Sequence, residues 1–269
     1  MKPATTSIFG EGEPEEVLER LANIGWKYIE ISNGHWYNID KREKPERDFL
    51  RLRKLCKKLD ISITQMHGPG YDIYKQPPKE YMEDAKRAIR AAGIIGVEWV
   101  VFHPWVVSMA EDKEAVEDVK HKNLDGFRIL VKQANKSNVG IAVENMYDGN
   151  PQGRRTFGAT PPELLWLIRN INSPKMGICW DTGHANLQKL DQYRAIKVLG
   201  KNLVATHIDD NNLFRDQHLL PFEGNVNWKD IVAALREINY SGLFNLEVPG
   251  SFDDTVPLTV AKKKMRYAL

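Results

Sequence analysis

The feature of this 269-residue sequence that most restricts its fold is a regular alternation of two kinds of segment. Short runs rich in β-branched and aromatic residues, which are typical of buried strands, alternate with longer stretches whose apolar residues recur at helical spacing. The predicted strands occupy residues 7–9, 28–32, 61–66, 99–102, 140–143, 176–180, 203–206 and 243–246. The predicted helices occupy residues 14–24, 46–59, 78–92, 113–137, 161–170, 190–199, 228–238 and 254–267.

Eight consecutive strand–helix units predict a closed (β/α)₈ TIM barrel, since about 250 residues is the usual length of that fold. The alternative is a doubly wound open sheet, which usually has fewer strands and an early glycine-rich phosphate-binding loop. The sequence contains neither a Gly-x-Gly-x-x-Gly nor a Gly-x-x-x-x-Gly-Lys motif, which favours the barrel. Because no linker or low-complexity segment interrupts the chain, residues 1–269 are predicted to form a single domain.

The charge balance restricts the class of partner. The chain carries 38 Lys and Arg residues against 36 Asp and Glu residues, for a net charge of +2. This near balance argues against nucleic acid, whose binding usually needs a strongly basic surface, and favours a small-molecule ligand.

The termini and cysteines bear on the compartment. Residues 1–6 lack the apolar core of a signal peptide, and no apolar run is long enough to span a membrane. The two cysteines, Cys56 and Cys179, have no disulfide-framework spacing and indicate free thiols in a reducing compartment. A cytoplasmic protein is therefore expected, and the sequence leaves open whether it forms a homo-oligomer.

Potential metal ligands stand at the carboxyl ends of six predicted strands. They are His67, His103, Glu144, Asp181, His207 and Glu247. In a barrel the carboxyl ends of all strands meet at one face, so residues distant in sequence converge in one cup. Carboxylates and imidazoles together suit Zn²⁺, Mn²⁺, Co²⁺ or Fe²⁺ better than Ca²⁺. Glu30 also ends a predicted strand, and the sequence does not decide whether it faces the cup or braces a loop.

Further polar residues flank these strand ends. His184 lies three residues after Asp181, and Asp216 and His218 lie in a polar loop that follows the seventh predicted strand. Read singly, each of them would be a hydrogen-bonded rim residue or a solvated loop residue. Their joint placement at one face of the predicted barrel is what indicates a metal centre.

Taken in order, these motifs resemble the xylose isomerase-like barrel superfamily, which contains sugar isomerases and epimerases together with endonuclease IV-type AP endonucleases. The resemblance extends from residues 28–30 to residues 246–248. It rests on the ordered set Val143-Glu144-Asn145, Trp180-Asp181-Thr182-Gly183-His184-Ala185, Thr206-His207-Ile208-Asp209-Asp210, Asp216-Gln217-His218-Leu219 with Glu223-Gly224, and Leu246-Glu247-Val248.

In the epimerase branch, the resemblance implies one divalent ion, such as Zn, Mn, Co or Mg, held by Glu144, Asp181, His207 and Glu247. The two glutamates would also be the catalytic proton-transfer pair. His184 would bind substrate, and His67 and His103 would be alternative ligands or substrate contacts. In the endonuclease branch, three zinc ions would use a larger set whose additional metal ligands correspond to His67, His103, His184, Asp216 and His218.

Aromatic and basic side chains in the loops of the same face are candidates for substrate contacts. Trp36, Tyr37, Trp105 and Phe222 could stack on the apolar face of a sugar ring, and ordinary loop packing explains them equally well. Arg215 could bind a phosphate or carboxylate of the substrate, although exposed arginines are more often simply solvated.

Three features favour the sugar branch. They are the form Asp-Thr-Gly-His-Ala-Asn at residues 181–186, the lack of a basic rim that would clamp DNA, and predicted loops at residues 33–44 and 69–78 that do not resemble the DNA-penetrating loops of the nuclease. The expected function is a divalent-metal-dependent isomerase or epimerase of a sugar or sugar phosphate. It would transfer a proton through a metal-stabilised enediolate. The alternatives are an AP endonuclease with a trinuclear zinc site, a polyol dehydratase or lyase on the same scaffold, and a non-catalytic sugar-binding barrel.

Overall fold

The computed structural model describes residues 1–69, 78–104, 113–148 and 157–249. Its strands are β1 (Lys2–Thr6), β2 (Tyr28–Ile31), β3 (Ser62–His67), β4 (Trp99–Phe102), β5 (Gly140–Glu144), β6 (Met176–Asp181), β7 (Leu203–His207) and β8 (Leu243–Leu246). Its helices are α1 (Pro14–Ile24), α2 (Asn33–Asp40), α3 (Pro45–Leu59), α4 (Pro78–Ile95), α5 (Lys113–Ser137), α6 (Pro161–Ile171), α7 (Thr182–Leu187), α8 (Gln192–Leu199) and α9 (Trp228–Glu237).

The strands form one parallel sheet in the order β7-β6-β5-β4-β3-β2-β1-β8, so each strand lies beside its neighbour in sequence and β8 returns to β1. The predicted (β/α)₈ barrel is therefore confirmed. In the part of the chain that the structure describes, no helix is long and apolar enough to cross a membrane. The helix predicted at residues 254–267 lies outside the described residues, and the assignment of residues 1–269 to one domain stays a prediction.

A threonine hydroxyl joins β7 to β8 where the barrel closes. Thr206 Oγ1 donates to the carbonyl oxygen of Leu243 at 2.7 Å and accepts from the backbone N–H of Asn245 at 3.3 Å. Further along, the N–H of Ile208 donates to the carbonyl of Asn245 at 2.8 Å, and Ile208 and Leu246 form a parallel bridge. The Thr206 side chain thus takes the place of backbone pairing at this seam.

Replacing Thr206 by Val should lower the free energy of unfolding by about 1–3 kcal/mol, because the near-isosteric side chain removes the acceptor for the Asn245 N–H and leaves the Leu243 carbonyl with the Tyr240 hydroxyl alone as a side-chain donor. Thr64→Val is a matched control, since Thr64 Oγ1 is buried and has no hydrogen-bond partner among the described residues. The control should stay within about 0.5 kcal/mol of wild type. Urea unfolding of the two variants measures the difference in unfolding free energy. Equal stabilities would show that the Thr206 hydroxyl does not stabilise the junction between β7 and β8.

Inside the barrel, small apolar side chains on four consecutive strands form their own buried cluster, which consists of Val101, Ala142, Cys179 and Ala205. Side chains alternate across a strand, so the residue two positions further along the same strand also faces the interior. From three of the four, that step leads to Glu144, Asp181 and His207. The sequence therefore fills the middle of the barrel with small residues and places polar side chains above them, while the larger apolar residues pack between the sheet and the helices.

Two sequence-based assignments near the amino terminus were wrong. The first strand is Lys2–Thr6 rather than residues 7–9, because its backbone pairs with both β2 and β8 despite its polar composition. The predicted loop after β2 contains helix α2, which Ser32 caps by accepting from the N–H of His35. On this helix Trp36 is fully buried and its Nε1–H donates to the carbonyl of His67 at 3.0 Å, so Trp36 does not present a stacking face to a ligand.

Candidate active site

Four buried side chains converge at the carboxyl ends of the last four strands. Glu144 ends β5, Asp181 ends β6, His207 ends β7 and Glu247 directly follows β8. Each offers one ligand atom, and the four atoms lie within 4.8 Å of one another. This set, called the central site below, brings together the four residues that the family resemblance implies as metal ligands.

Unpartnered atoms in the central site test whether these residues fit a cation. Glu144 Oε2, Asp181 Oδ2 and His207 Nδ1 are buried and have no hydrogen-bond partner among the residues the structure describes. The His207 Nδ1 atom lies 3.2 Å from Glu144 Oε1, 3.3 Å from Glu247 Oε2 and 4.0 Å from Asp181 Oδ2. Buried polar groups normally find partners, and three carboxylates around one imidazole supply the ligand types that bind zinc and manganese. The central site therefore fits a divalent metal ion.

Three further histidines present a defined ring nitrogen to the cup. In each, Nδ1 lies next to a backbone carbonyl oxygen: His67 next to Gly68 at 2.9 Å, His184 next to Asn145 at 2.9 Å, and His218 next to Glu247 at 2.8 Å. A carbonyl oxygen only accepts, so these Nδ1 atoms carry the hydrogen and the Nε2 atoms are left for the cup. His184 Nε2 and His218 Nε2 lie 3.3 and 3.4 Å from the same oxygen of Asp216.

His207 has the opposite arrangement. Its Nε2 atom lies 2.9 Å from Oε2 of Glu30, and its Nδ1 atom faces the central site. Glu30 is fully buried within the barrel, which answers the question that the sequence left open. It neither faces the cup directly nor braces a loop, because it lies behind the His207 ring.

Asp181 and Asn145 set the position of His184. Asp181 Oδ1 accepts from the backbone N–H of His184 at 2.6 Å and thereby caps helix α7. The Asn145 amide binds the main chain of Asp181 at two points, since its Oδ1 accepts from the N–H at 2.6 Å and its Nδ2 donates to the carbonyl at 2.9 Å. This six-residue helix was not predicted, although an Asp immediately before it is a usual N-cap signal.

Asp210 fixes the loop that carries Asp216 and His218. Its Oδ1 accepts from the N–H groups of Asn211 and Val226 at 2.9 and 3.1 Å. Its Oδ2 accepts from the N–H of Phe222 at 3.0 Å and from Nε1–H of Trp228 at 2.8 Å. Four donors on one buried carboxylate tie both ends of the loop to the end of β7, which explains how an irregular segment can hold two candidate ligands in place.

Two additional groups of potential ligands lie at the cup. One consists of His67, His103 and Glu144, and the other of Asp209, Asp216 and His218. All the residues predicted for a larger metal cluster are therefore present at this face. Asp209 was not predicted to have a role, although its place two residues after the inward-facing His207 could have indicated one.

Burial and charge drive the pKa values of two central carboxyls in opposite directions. Burial by itself raises the pKa of Glu144, but electrostatic attraction to the neighbouring His207 and His103 imidazoles outweighs it and holds that pKa well below its usual value. For Asp181, burial raises the pKa to about 7 against the attraction of His184, with the neighbouring Glu144 charge adding to the rise. Glu144 is therefore ionised at neutral pH, and a bound cation would favour the ionised form of Asp181 as well.

The remaining substrate-contact predictions have different outcomes. His103 is partly exposed, with Nε2 3.4 Å from Glu144 Oε2, and Arg215 is exposed on the loop after β7. Trp105 lies outside the described residues. Tyr147, which the sequence analysis did not select, places its ring 5.1 Å from that of His184. The roles of His103, Arg215 and Trp105 toward substrate stay predictions.

Comparison with known proteins gives a consistent set of relatives. An uncharacterized protein of Methanocaldococcus jannaschii is 29% identical over 73% of this chain and 67% of its own length. The D-psicose 3-epimerase of Enterocloster bolteae is 24% identical over 87% of this chain and 76% of its own length. Among solved structures, a D-tagatose 3-epimerase-like protein superposes with a TM-score of 0.82 at 25% identity, covering 100% of this chain and 98% of the other.

The family follows from a match over most of the sequence. A family model described as a xylose isomerase-like TIM barrel matches residues 18–267. The match includes the strands that carry the central site. This chain belongs to the xylose isomerase-like TIM barrel family.

Proposed function

We propose that this protein is a divalent-metal-dependent epimerase or isomerase of a sugar. One observation carries the proposal. Three buried atoms that could ligate a metal, on Glu144, Asp181 and His207, have no hydrogen-bond partner among the described residues and lie close to Glu247 at the carboxyl ends of the barrel strands. The similarity to a D-psicose 3-epimerase over most of this chain supports the same class of reaction. A barrel places its chemistry at this face of the sheet.

The four residues of the central site would hold the ion. Three carboxylates and one imidazole are compatible with Zn²⁺, Mn²⁺ or Co²⁺, and with Mg²⁺ if water completes the shell. When bound, the ion would supply Lewis-acid stabilisation of negative charge on a substrate oxygen.

Glu144 and Glu247 would move the proton. They stand on β5 and after β8, and they approach the same His207 Nδ1 atom at 3.2 and 3.3 Å. The C–H group next to a carbonyl is a weak acid, so its proton is removed only by a well-positioned base. The ionised Glu144 carboxylate can accept that proton. The first carboxyl group keeps the proton that it removes, and the second, if it is in the carboxylic acid form, can deliver its own proton to the other face of the carbon, which inverts its configuration.

His184 would orient the substrate. Its Nδ1–H donates to the Asn145 carbonyl, so Nε2 is directed into the cup, next to Asp216. Protonated, as the neighbouring carboxylates favour, this nitrogen can donate to a sugar hydroxyl or carbonyl oxygen. Burial alone lowers the pKa of His184, but the charge of Asp181 and the hydrogen bond to Asp216 hold it well above the ordinary value.

A second candidate function is a three-ion phosphoesterase of the AP endonuclease kind. The observation that favours it is the presence of two further ligand groups beside the central site, one with His67 and His103 and one with Asp216 and His218. In a sugar epimerase these residues would instead form the polar wall of the substrate pocket.

Metal content and two assays separate the candidates. Protein purified without chelator should contain about one ion per chain, and a panel of keto sugars in D₂O should include one that gains deuterium at a single carbon. His218→Asn should leave the ion of the central site in place. Three ions per chain, together with cleavage of an abasic-site duplex that His67→Ala and His218→Ala both abolish, would overturn the epimerase proposal.

A further inference from the structure

The His207 ring differs from three other histidines of the cup in the group to which it is hydrogen-bonded. His67, His184 and His218 are each held through Nδ1 by a backbone carbonyl. His207 is held through Nε2 by the carboxylate of Glu30, a side chain from β2 on another part of the barrel. The contact joins residues 177 positions apart in sequence, and both side chains are fully buried.

A fully buried carboxylate is costly unless it is paired and hydrogen-bonded. Glu30 has one oxygen, Oε1, without a hydrogen-bond partner among the described residues, so hydrogen bonding alone does not account for it. Its other oxygen accepts from both His207 and the Gln65 side-chain amide. The buried carboxylate is therefore placed against one ring in particular, the equally buried imidazole of His207.

The ring plane of His207 is fixed as well as its hydrogen bond. The His67 imidazole lies nearly parallel to it, with an interplanar angle of 11° and ring centroids 5.7 Å apart. Gln65, which holds Glu30, also lies 3.4 Å from the carbonyl of Thr206, the residue before His207. The Glu30 side chain is thereby anchored to the same strand whose histidine it holds.

We infer that Glu30 is a positioning residue: its carboxylate accepts the Nε2–H of His207 and so directs the Nδ1 lone pair at the divalent ion of the central site. A carboxylate acceptor also makes an imidazole a stronger metal ligand than a carbonyl acceptor does. The inference rests on the metal site of the proposed function, and it concerns binding of the ion rather than the identity of the sugar.

The ring nitrogens of the wild-type protein test the inference directly. In zinc-loaded protein with ¹⁵N-labelled histidine, long-range ¹H–¹⁵N correlation should show His207 with a hydrogen on Nε2 and the metal on Nδ1. The signal is assigned by its loss in His207→Gln. A hydrogen on Nδ1, metal on Nε2, or no zinc bound to the central site would overturn the inference without any Glu30 variant.

Variants of Glu30 measure the strength of the effect. Glu30→Gln keeps an acceptor oxygen but removes the charge, and the Kd for Zn²⁺ should rise roughly 10- to 100-fold. Glu30→Ala should raise it further. Asn245→Ala is the matched control, because it removes another fully buried polar side chain, one whose amide atoms have no partners among the described residues. Its Kd should stay within about twofold of wild type.

The outcomes separate this inference from the proposed function. Folded Glu30→Gln protein that binds Zn²⁺ with wild-type affinity would overturn the positioning role even if a sugar is epimerised. If Glu30→Gln binds Zn²⁺ more weakly and zinc-loaded wild-type protein gives no deuterium uptake into any sugar, the positioning role is confirmed and the proposed function is removed. If neither Glu30 variant folds, the ring-nitrogen pattern of the wild-type protein decides.

Discussion

Replacing Glu144 by Gln should reduce the exchange of a substrate C–H proton with solvent by roughly 10²- to 10⁴-fold, the usual contribution of a positioned general base. The amide cannot accept a proton at neutral pH, whereas the buried Glu144 carboxyl, whose pKa lies well below its usual value, is ionised there. The measurement is deuterium uptake by the reactive sugar in D₂O, followed by NMR at saturating metal.

Two controls make the Glu144 result interpretable. Glu98→Gln changes a carboxylate that lines a cavity with Lys2 and Trp99, near the amino ends of the strands, and should leave exchange unchanged. Zinc content must be measured in Glu144→Gln, because Glu144 is also a candidate ligand. Normal exchange in a variant that retains its ion would remove Glu144 from the proton-transfer role.

Removing the divalent ion should lower the free energy of unfolding by about 4 kcal/mol, when the free ion had been present at about 1,000 times its Kd. Without the ion, three carboxyl groups remain close together in a buried site, those of Glu144, Asp181 and Glu247. Their oxygen atoms then lack the cation that would offset their mutual repulsion. Urea unfolding with and without a chelator measures the loss, and adding Zn²⁺ back should restore the stability.

If the ion binds at the central site, the stability gained from zinc should depend on the residues of that site. Asp181→Ala should abolish most of the difference between chelated and zinc-loaded protein, since it removes one of the four ligands. Asn245→Ala, which changes no candidate ligand, should retain the full difference. A wild-type protein whose unfolding is unaffected by chelator would contradict a resident ion at the central site.

Much of the fold was predictable because the barrel repeats one local pattern eight times. The bounds of β4 (Trp99–Phe102), α5 (Lys113–Ser137) and β8 (Leu243–Leu246) match their predictions, since each is a clear apolar run or a long amphipathic segment. The first strand was missed because its residues, Lys2–Thr6, include Lys, Pro and Thr, and its stability comes from pairing with β2 and β8. Pairing across the barrel leaves no local trace in sequence.

The central site was predictable for a related reason. Parallel strands in a barrel end at one face, so placing Glu144, Asp181 and His207 at strand ends is enough to bring them together. Helix α7, only six residues long, was missed because so short a helix depends on the Asp181 cap and on its neighbours rather than on periodicity.

The sequence by itself determined the repeating strand–helix pattern and the residues at the strand ends, because both follow from local composition and strand geometry. Only the tertiary structure decided that Trp36 is buried, that Asp210 accepts four hydrogen bonds, and that Glu30 lies behind His207. These contacts join segments far apart in the chain, and closure of the barrel is what brings the segments together. The contact between His207 Nε2 and Glu30 joins β7 to β2, and no local pattern in the sequence contains it.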